Sequence, residues 1–174
     1  MLGAADIAIF QFINRTLANP VFDIVMPFFT RAGSGEFIFA LAVLLAVFCK
    51  REKKLTGIFL LAGLTITYFA VEYLKNAAAI PRPFISLADA RLLVPKSMGF
   101  SFPSGHATIA FMAATVMSGF FKKNRALWFT IAFLIAFSRI YVGMHYASDV
   151  IAGALIGIIA GYCIMKTADR SNAG

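Results

Sequence analysis

Apolar residues follow one another in five long runs, and short segments between the runs carry most of the charges. The runs cover roughly residues 36–49, 55–79, 104–121, 126–142 and 147–166. A helix needs about 20 apolar residues, with about 17–25 tolerated, to cross the hydrocarbon core of a bilayer. The first run is short, although residues 33–36 could extend it. The pattern therefore predicts at least five transmembrane helices.

Residues 1–32 have a weaker pattern. Apolar positions such as Phe10 and Ile13 lie among polar ones such as Asn14, which is typical of an amphipathic helix. Two prolines, Pro20 and Pro27, then bracket a short apolar piece. We expect one tilted or broken sixth span here, and an interfacial helix followed by a re-entrant piece is the alternative. The predicted fold class is all-α, a polytopic membrane helix bundle of about six transmembrane helices in a single domain of residues 1–174.

The composition supports a membrane protein. The chain is 60% hydrophobic and 14% charged, with a mean hydropathy of +0.82, whereas a soluble domain has about 25% charged residues. The net charge is +8, but the cations lie at the ends of the apolar runs rather than on a polar face. The lipid bilayer and an anionic ligand explain this charge better than nucleic acid, which is not expected as a partner. Cys49 and Cys163 lie within apolar runs and are predicted to be free thiols.

The distribution of cations predicts the orientation in the membrane. Most cations fall on one side of the predicted spans: Lys50, Arg51, Lys53, Lys54, Lys122, Lys123, Arg125, Lys166 and Arg170. Because cytoplasmic loops are enriched in Lys and Arg, this side is predicted to be cytoplasmic, together with both chain termini. The connection of residues 80–103, which contains four prolines and is not expected to form one helix, and residues 143–146 are then extracytoplasmic.

The ends of four apolar runs bring a set of chemically capable residues to the extracytoplasmic side. They are Lys75, Arg82, Ser104, Gly105, His106, Arg139, His145 and Asp149. Charged groups near hydrocarbon are costly, and a purely structural bundle has little reason to gather three cations, both histidines, a serine and a carboxylate on one face. The convergence predicts a site for an anionic group.

Two spacings indicate what the histidines could do. His145 and Asp149 are four residues apart, so on a helix a carboxylate could fix the imidazole tautomer and leave the other nitrogen free to attack. The alternative is that Asp149 stabilises the helix dipole and His145 is an interfacial residue. Ser104 and Gly105 at a helix start expose backbone N–H groups to an anion, and His106 could protonate a leaving oxygen. Ser104 could equally serve as a helix cap, and both roles are compatible.

The cations Lys75, Arg82 and Arg139 suit a phosphoryl group, since the planar fork of arginine can bind two phosphate oxygens. Their alternative role is to reach the lipid headgroups as interfacial cations. No carboxylate cluster suitable for Mg²⁺ occurs in the sequence, so we expect neither a metal nor another cofactor.

These residues resemble the type 2 phosphatidic acid phosphatase family, also called lipid phosphate phosphatases. The family pattern consists of KxxxxxxRP, PSGH and SRxxxxxHxxxD. All three motifs are present in order, at residues 75–83, 103–106 and 138–149. The resemblance implies a six-helix membrane phosphatase in which His145 is the nucleophile, Asp149 its partner and His106 the general acid. It further implies that phosphate is bound by Lys75, Arg82, Ser104, Gly105 and Arg139.

The expected function is therefore metal-independent hydrolysis of a lipid phosphate or diphosphate through a phosphohistidine. We expect it at the outer face of a bacterial inner membrane, with undecaprenyl diphosphate, lipid A 1-phosphate or phosphatidylglycerophosphate as substrate. Transfer of the phosphoryl group to another lipid, and a non-enzymatic lipid transporter, are the alternatives. Within residues 80–103, apolar side chains such as Phe84, Leu87, Leu92 and Leu93 are predicted to border the lipid path, with Arg91 or Lys96 meeting headgroups.

Overall fold

The computed structural model describes residues 3–171, and every regular element in that range is helical. The helices are α1 (Ala4–Gln11, extended by a π-helical turn Phe12–Thr16), α2 (Pro20–Ala32), α3 (Gly35–Phe48), α4 (Arg51–Ala78), α5 (Pro83–Ser86), α6 (Gly105–Phe120), α7 (Arg125–Tyr141) and α8 (Ala147–Ser171). A short 3₁₀ turn, Lys122–Asn124, joins α6 to α7. The predicted all-α class is confirmed.

Helix length and hydropathy identify fewer spans than the sequence pattern did. Within residues 3–171, α4 and α8 are each long and apolar enough to cross a membrane, and α2 with α3 forms a third candidate bent by 52°. The bend lies at Gly33, which follows α2, and at Ser34, which caps α3 by accepting a hydrogen bond from the Phe37 N–H. Helices α6 and α7 have 16 and 17 residues, at the lower limit of a spanning length. The count of six spans is thus not confirmed.

Helix α6 is the centre of the bundle and runs parallel to α8. The two helices approach closely because glycine recurs every fourth residue on the facing side of α8. A Cβ atom added at Gly153 would lie 2.6 Å from the Ser104 carbonyl oxygen, and one at Gly157 would lie 2.3 Å from the Thr108 carbonyl oxygen. The glycines therefore bring the starts of α6 and α8 side by side.

Helix α1 lies across the end of the bundle where α6 and α8 begin. Phe10 is fully buried there against the first turns of α6 and α8 and the last turns of α7. The fully buried Asn14 amide donates to the carbonyl oxygens of Tyr141 (2.7 Å) and Arg91 (2.9 Å). Because these partners all lie at one end of the bundle, the contacts of residues 3–16 correspond to a helix lying across that end. A sixth span and a cytoplasmic N-terminus are not confirmed.

The connection between α4 and α6 is irregular apart from α5, as its prolines predicted. Arg91 does not face outward to a headgroup, because its guanidinium donates to the Asp23 carboxylate (2.6 Å) and to the Asn14 carbonyl (3.1 Å). Gly143 fixes the same segment: it has φ +87°, and an added Cβ would lie 2.1 Å from the Arg91 carbonyl oxygen. The connection is thus tied to α1, α2 and the end of α7.

Candidate active site

The structure places the eight residues singled out in the sequence at the same end of the bundle. Lys75 lies in the last turn of α4, Arg82 just before α5, Ser104, Gly105 and His106 at the start of α6, Arg139 in the last turn of α7, His145 in the connection before α8, and Asp149 in the first turn of α8. Direct hydrogen bonds connect Arg82, His145 and Asp149. Lys75 instead pairs with Glu72, 3.4 Å away on the same helix.

Two buried polar side chains, those of Asp149 and Ser101, lie at the Nδ1 atom of His145. Nδ1 lies 3.3 Å from the Asp149 Oδ2 atom and 3.4 Å from the Ser101 hydroxyl. The Ser101 hydroxyl donates to Asp149 Oδ2 at 2.5 Å, and the Tyr146 N–H donates to the same oxygen at 2.9 Å. His145, Asp149 and Ser101 are all buried. The carboxylate is therefore held in place to accept a hydrogen bond from the Nδ1–H group.

The other ring nitrogen, Nε2, faces a cation. Arg82 Nη1 lies 3.1 Å from Nε2, and the Arg82 guanidinium also donates to the carbonyl oxygens of Met144 (3.3 Å) and Gly99 (3.1 Å). A guanidinium can only donate hydrogen bonds, so Nε2 must present its lone pair and Nδ1 must carry the proton. This is the tautomer in which Nε2 can act as a nucleophile.

The environment keeps the imidazole neutral. Burial lowers the pKa of His145 well below its ordinary value of about 6.5, and the positive charges of Arg139 and Arg82 lower it further. A neutral ring is what a nucleophilic nitrogen requires, because protonation would occupy the lone pair.

Arg139 holds the His145 backbone and also carries an unused donor. Its carbonyl oxygen accepts the N–H groups of Met144 (3.0 Å) and His145 (3.2 Å), which fixes the turn that follows α7. Its side chain is 4% exposed, and its Nε atom has no hydrogen-bond partner among the described residues. A buried guanidinium with a free donor next to a second arginine is suited to bind an anion.

The start of α6 combines a cap with a link to α8. The Ser104 side chain accepts a long hydrogen bond of 3.5 Å from the Ala107 N–H, while the Ser104 N–H donates to the Asp149 carbonyl oxygen at 3.0 Å. His106 follows in the first turn and is half-buried. Ser104 therefore caps α6 and also holds the first turn, with His106, beside the segment that contains His145 and Asp149.

His106 opens onto a cleft of about 440 Å³ between α2 and the connection before α6. Its other lining residues are Ile24, Pro27, Phe28, Thr30, Arg31, Leu93, Val94 and Pro95. Leu93 was expected to border a lipid path, and it does line this cleft. Phe84, Leu92 and Leu93 all pack against the buried cluster of Tyr141 and Val142, but Phe84 and Leu92 do not line the cleft. A ligand outside the bundle can therefore reach His106 through this cleft.

Two residues of this region were missed in the sequence. Ser101 contacts both His145 and Asp149, but it precedes the PSGH motif in an irregular segment, where a serine is an ordinary turn residue. Arg31 lines the same cleft as His106, although none of the three motifs contains it. An exposed arginine in the last turn of an otherwise apolar helix was the signal that could have singled it out. Within residues 3–167, no three His, Cys, Asp or Glu side chains lie close enough together to hold a metal ion.

Comparison with known proteins identifies relatives of this arrangement. The sequence profile of the PAP2 superfamily matches residues 56–173. BcrC of Bacillus licheniformis, named a bacitracin transport permease protein, is 36% identical over 89 residues, which cover 51% of this chain and 44% of that protein. An undecaprenyl-diphosphatase of Sulfolobus acidocaldarius is 35% identical over 136 residues, which cover 76% of this chain and 64% of that protein. The crystal structure of Aquifex aeolicus LpxE superimposes with a TM-score of 0.83 at 37% identity, covering 94% of this chain and 96% of that one.

The extent of these matches differs. The chain spans less than two thirds of the length of both curated relatives, but it accounts for nearly the whole of the LpxE chain. The matched profile begins in α4 and includes every motif residue from Lys75 to Asp149.

Proposed function

Because this chain belongs to the PAP2 superfamily, we propose that it is a lipid phosphatase that hydrolyses the phosphate or diphosphate headgroup of a membrane lipid through a phosphohistidine. The observation that carries the proposal is the state of His145. Its Nδ1 faces Asp149 and its Nε2 faces Arg82, so a neutral nucleophile points toward the cations that would bind a phosphoryl group.

The first step forms a bond between His145 Nε2 and phosphorus and breaks the bond from phosphorus to the lipid-side oxygen. The electron pair leaves with that oxygen, which takes a proton from His106. Asp149 stabilises the positive charge that develops on the imidazole, since it accepts the Nδ1 hydrogen bond. The products of this step are the lipid that has lost its terminal phosphoryl group and phosphorylated His145.

In the second step, water attacks phosphorus and gives up a proton to His106, which the first step left neutral. The bond from phosphorus to Nε2 breaks, and inorganic phosphate and neutral His145 are released. Arg82, Arg139 and Lys75 would neutralise the phosphoryl oxygens in both steps, together with the N–H groups at the start of α6. This scheme obtains its charge stabilisation from side chains and needs no metal ion.

The cations of the loops support the orientation of the protein in the membrane that the sequence predicted. Lys53 near the start of α4 and Lys122 between α6 and α7 lie at the opposite end of the bundle from His145. By the positive-inside rule, these cations support a site on the outer face of the membrane, which we propose is a bacterial inner membrane. With α2 and α3 counted as one bent span, five spans place α1 on the outer side and the end of α8 in the cytoplasm. Residues 1–174 form a single phosphatase domain in this account.

The substrate class follows from the relatives' names only in part. The undecaprenyl-diphosphatase supports a lipid diphosphate, which is cleaved at a phosphoanhydride bond. Lipid A 1-phosphate and phosphatidylglycerophosphate are monoesters that present the same terminal phosphoryl group. Transport is the alternative that the name of the BcrC relative favours. A transport site would not need the Nε2 lone pair of His145 to face a phosphate-binding arginine.

Phosphate release tests the proposal. Protein purified in detergent, with a chelator present, is expected to release inorganic phosphate from at least one of undecaprenyl diphosphate, lipid A 1-phosphate and phosphatidylglycerophosphate. His145→Ala should abolish the release. Asp89→Asn is the matched control, because that exposed carboxylate pairs with Arg15 away from the histidines. Binding of a lipid phosphate without any phosphate release would support the transport alternative, and labelled phosphate recovered on a second lipid would indicate transfer.

A further inference from the structure

A second, apolar cavity lies deeper in the bundle, between α3, α6 and α7. Its volume is about 220 Å³. Its walls include Ala110, Ala113 and Ala114 of α6, Leu41 of α3 and Ile131 of α7. Almost all of its surface is hydrocarbon, so a ligand of this cavity must be apolar.

The cavity and the cleft at His106 are lined by residues on the same face of α6. His106, Ala110, Ala114 and Met117 are separated by four, four and three residues, a spacing that places them on one side of a helix. His106 at the top of this face opens into the 440 Å³ cleft, and the alanines below it line the deeper cavity. A molecule with its polar end at His106 could therefore extend directly along α6 into the bundle.

The cavity stays open although small residues line it. Small residues in membrane helices normally let neighbouring helices approach closely, and protein interiors seldom contain voids larger than a water molecule. On the α8 side of α6, Gly153 and Gly157 produce such an approach. On the other side, Ala110 and Ala114 pack against Ala132 and Ile135 of α7. Beside this contact the cavity stays open, because α2 packs on α7 whereas α3, bent by 52° from α2, makes no extensive contact with α7 among the described residues.

We propose that this cavity binds a single hydrocarbon chain of the lipid substrate while its phosphate lies between His106 and His145. The inference rests on the proposed phosphatase function and adds to it a site for the lipid tail. Arg31 supports this placement, because it is an exposed cation on the cleft that leads to His106 and would attract the anionic headgroup to the mouth. The cavity is narrow, so the ligand is one chain, either prenyl or acyl.

Turnover of a long and a short substrate tests the tail site. The probes are undecaprenyl diphosphate and isopentenyl diphosphate, which share a diphosphate and differ in chain length. Ala114→Phe fills the cavity and is expected to lower kcat/KM for the long probe by about 10–200-fold, the range for crowding a hydrophobic pocket, without changing that for the short probe. The matched control is Ala40→Phe, on an exposed position of α3 that does not line the cavity, and it should change neither.

Equal losses on both probes, or no loss on the long probe, would overturn the tail site. If Ala114→Phe does not elute as a monodisperse protein, Ile131→Phe fills the same cavity from α7 and carries the same expectation.

A labelling experiment separates this inference from the proposed function. Undecaprenyl phosphate with a diazirine on its chain should label Ile131 or Ile135 in the wild type, and Ala114→Phe should lose that label. Label confined to outward-facing residues such as Phe133 and Ile151 would overturn the tail site even if both probes are hydrolysed. Label in the cavity without hydrolysis of either probe would instead contradict the phosphatase function and leave the tail site standing.

Discussion

The two sides of α6 use small residues for opposite purposes. Toward α8, Gly153 and Gly157 let the helices touch, and this contact places the Asp149 carbonyl oxygen 3.0 Å from the Ser104 N–H. Toward α3 and α7, Ala110 and Ala114 pack against Ala132 and Ile135 of α7 and also border a cavity. The closed side fixes the positions of the reacting groups, whereas the open side leaves room for a lipid. A residue change should therefore affect chemistry on one side and chain recognition on the other.

The largest effect is expected from Asp149→Asn on the closed side. The amide preserves the shape but no longer stabilises a positive imidazole, so kcat should fall by about 10²–10⁴-fold, the usual contribution of a positioned proton-transfer partner. Steady-state kinetics with long and short probes should show the same loss on both. A loss confined to the long probe would contradict the assignment of Asp149 to the chemistry.

Gly157→Ala should separate α6 from α8. The added Cβ would lie 2.3 Å from the Thr108 carbonyl oxygen, so the helices must move apart at a cost of about 1–3 kcal/mol. Thermal unfolding in detergent measures this cost, and kcat should fall for both probes. Gly35→Ala is the matched control, because its Cβ would meet only the Ile109 side chain at 3.6 Å. Equal unfolding temperatures for the two variants would show that the close contact is not needed.

Ser101→Ala removes the hydroxyl that positions Asp149. A buried carboxylate that loses one hydrogen bond is left partly unsatisfied, which costs about 1–3 kcal/mol, so kcat should fall by about 10–100-fold. Ser101→Thr retains the hydroxyl and should recover part of the activity. KM for either probe should change little, because Ser101 contacts His145 and Asp149 rather than a cation of the site. A change in KM alone would contradict this positioning role.

The smallest effect concerns pH. Because burial and the nearby arginines lower the pKa of His145 well below 6.5, the free enzyme should keep a neutral nucleophile as the pH falls through 6.5. The acidic limb of kcat/KM is therefore expected below pH 6.5, once the ionisation of the substrate has been measured by phosphorus NMR. An acidic limb above 6.5 that is not due to the substrate would contradict a neutral His145.

The lowered pKa of His145 also predicts how the stability of the protein depends on pH. The unfolded chain takes up a proton on this histidine near pH 6.5, but the folded protein does so only at a lower pH. The contribution of His145 to stability is thus fully present above pH 6.5 and is lost as the pH falls toward the folded pKa. Unfolding temperatures measured from pH 7.5 downward should show this decline, and His145→Gln should reduce it.

The sequence predicted those parts of the molecule that depend on local pattern. Long apolar runs indicated α4, α6, α7 and α8, and residues at the ends of those runs had to meet at one end of the bundle because the helices alternate in direction. The beginning of α4 at Arg51, earlier than the apolar run, reflects charged residues that a helix accommodates outside hydrocarbon.

The parts that could not be predicted depend on contacts between distant residues. The position of α1 is set by Phe10 and Asn14, whose partners lie about 80 to 140 residues further along the chain. Ser101 contacts His145 through an irregular segment that has no periodicity to interpret. The apolar cavity depends on the 52° bend between α2 and α3, and a hydrophobic pattern carries no information about that angle.

The identity of the phosphorylated residue tests the central claim most directly. Wild-type protein mixed with a radiolabelled lipid phosphate, quenched in alkali within a single turnover and digested, should yield one labelled peptide that contains His145. The label should disappear in His145→Ala and decay at the rate of phosphate release. Single-turnover phosphate release with no protein-bound label, or label on His106 instead, would contradict the account.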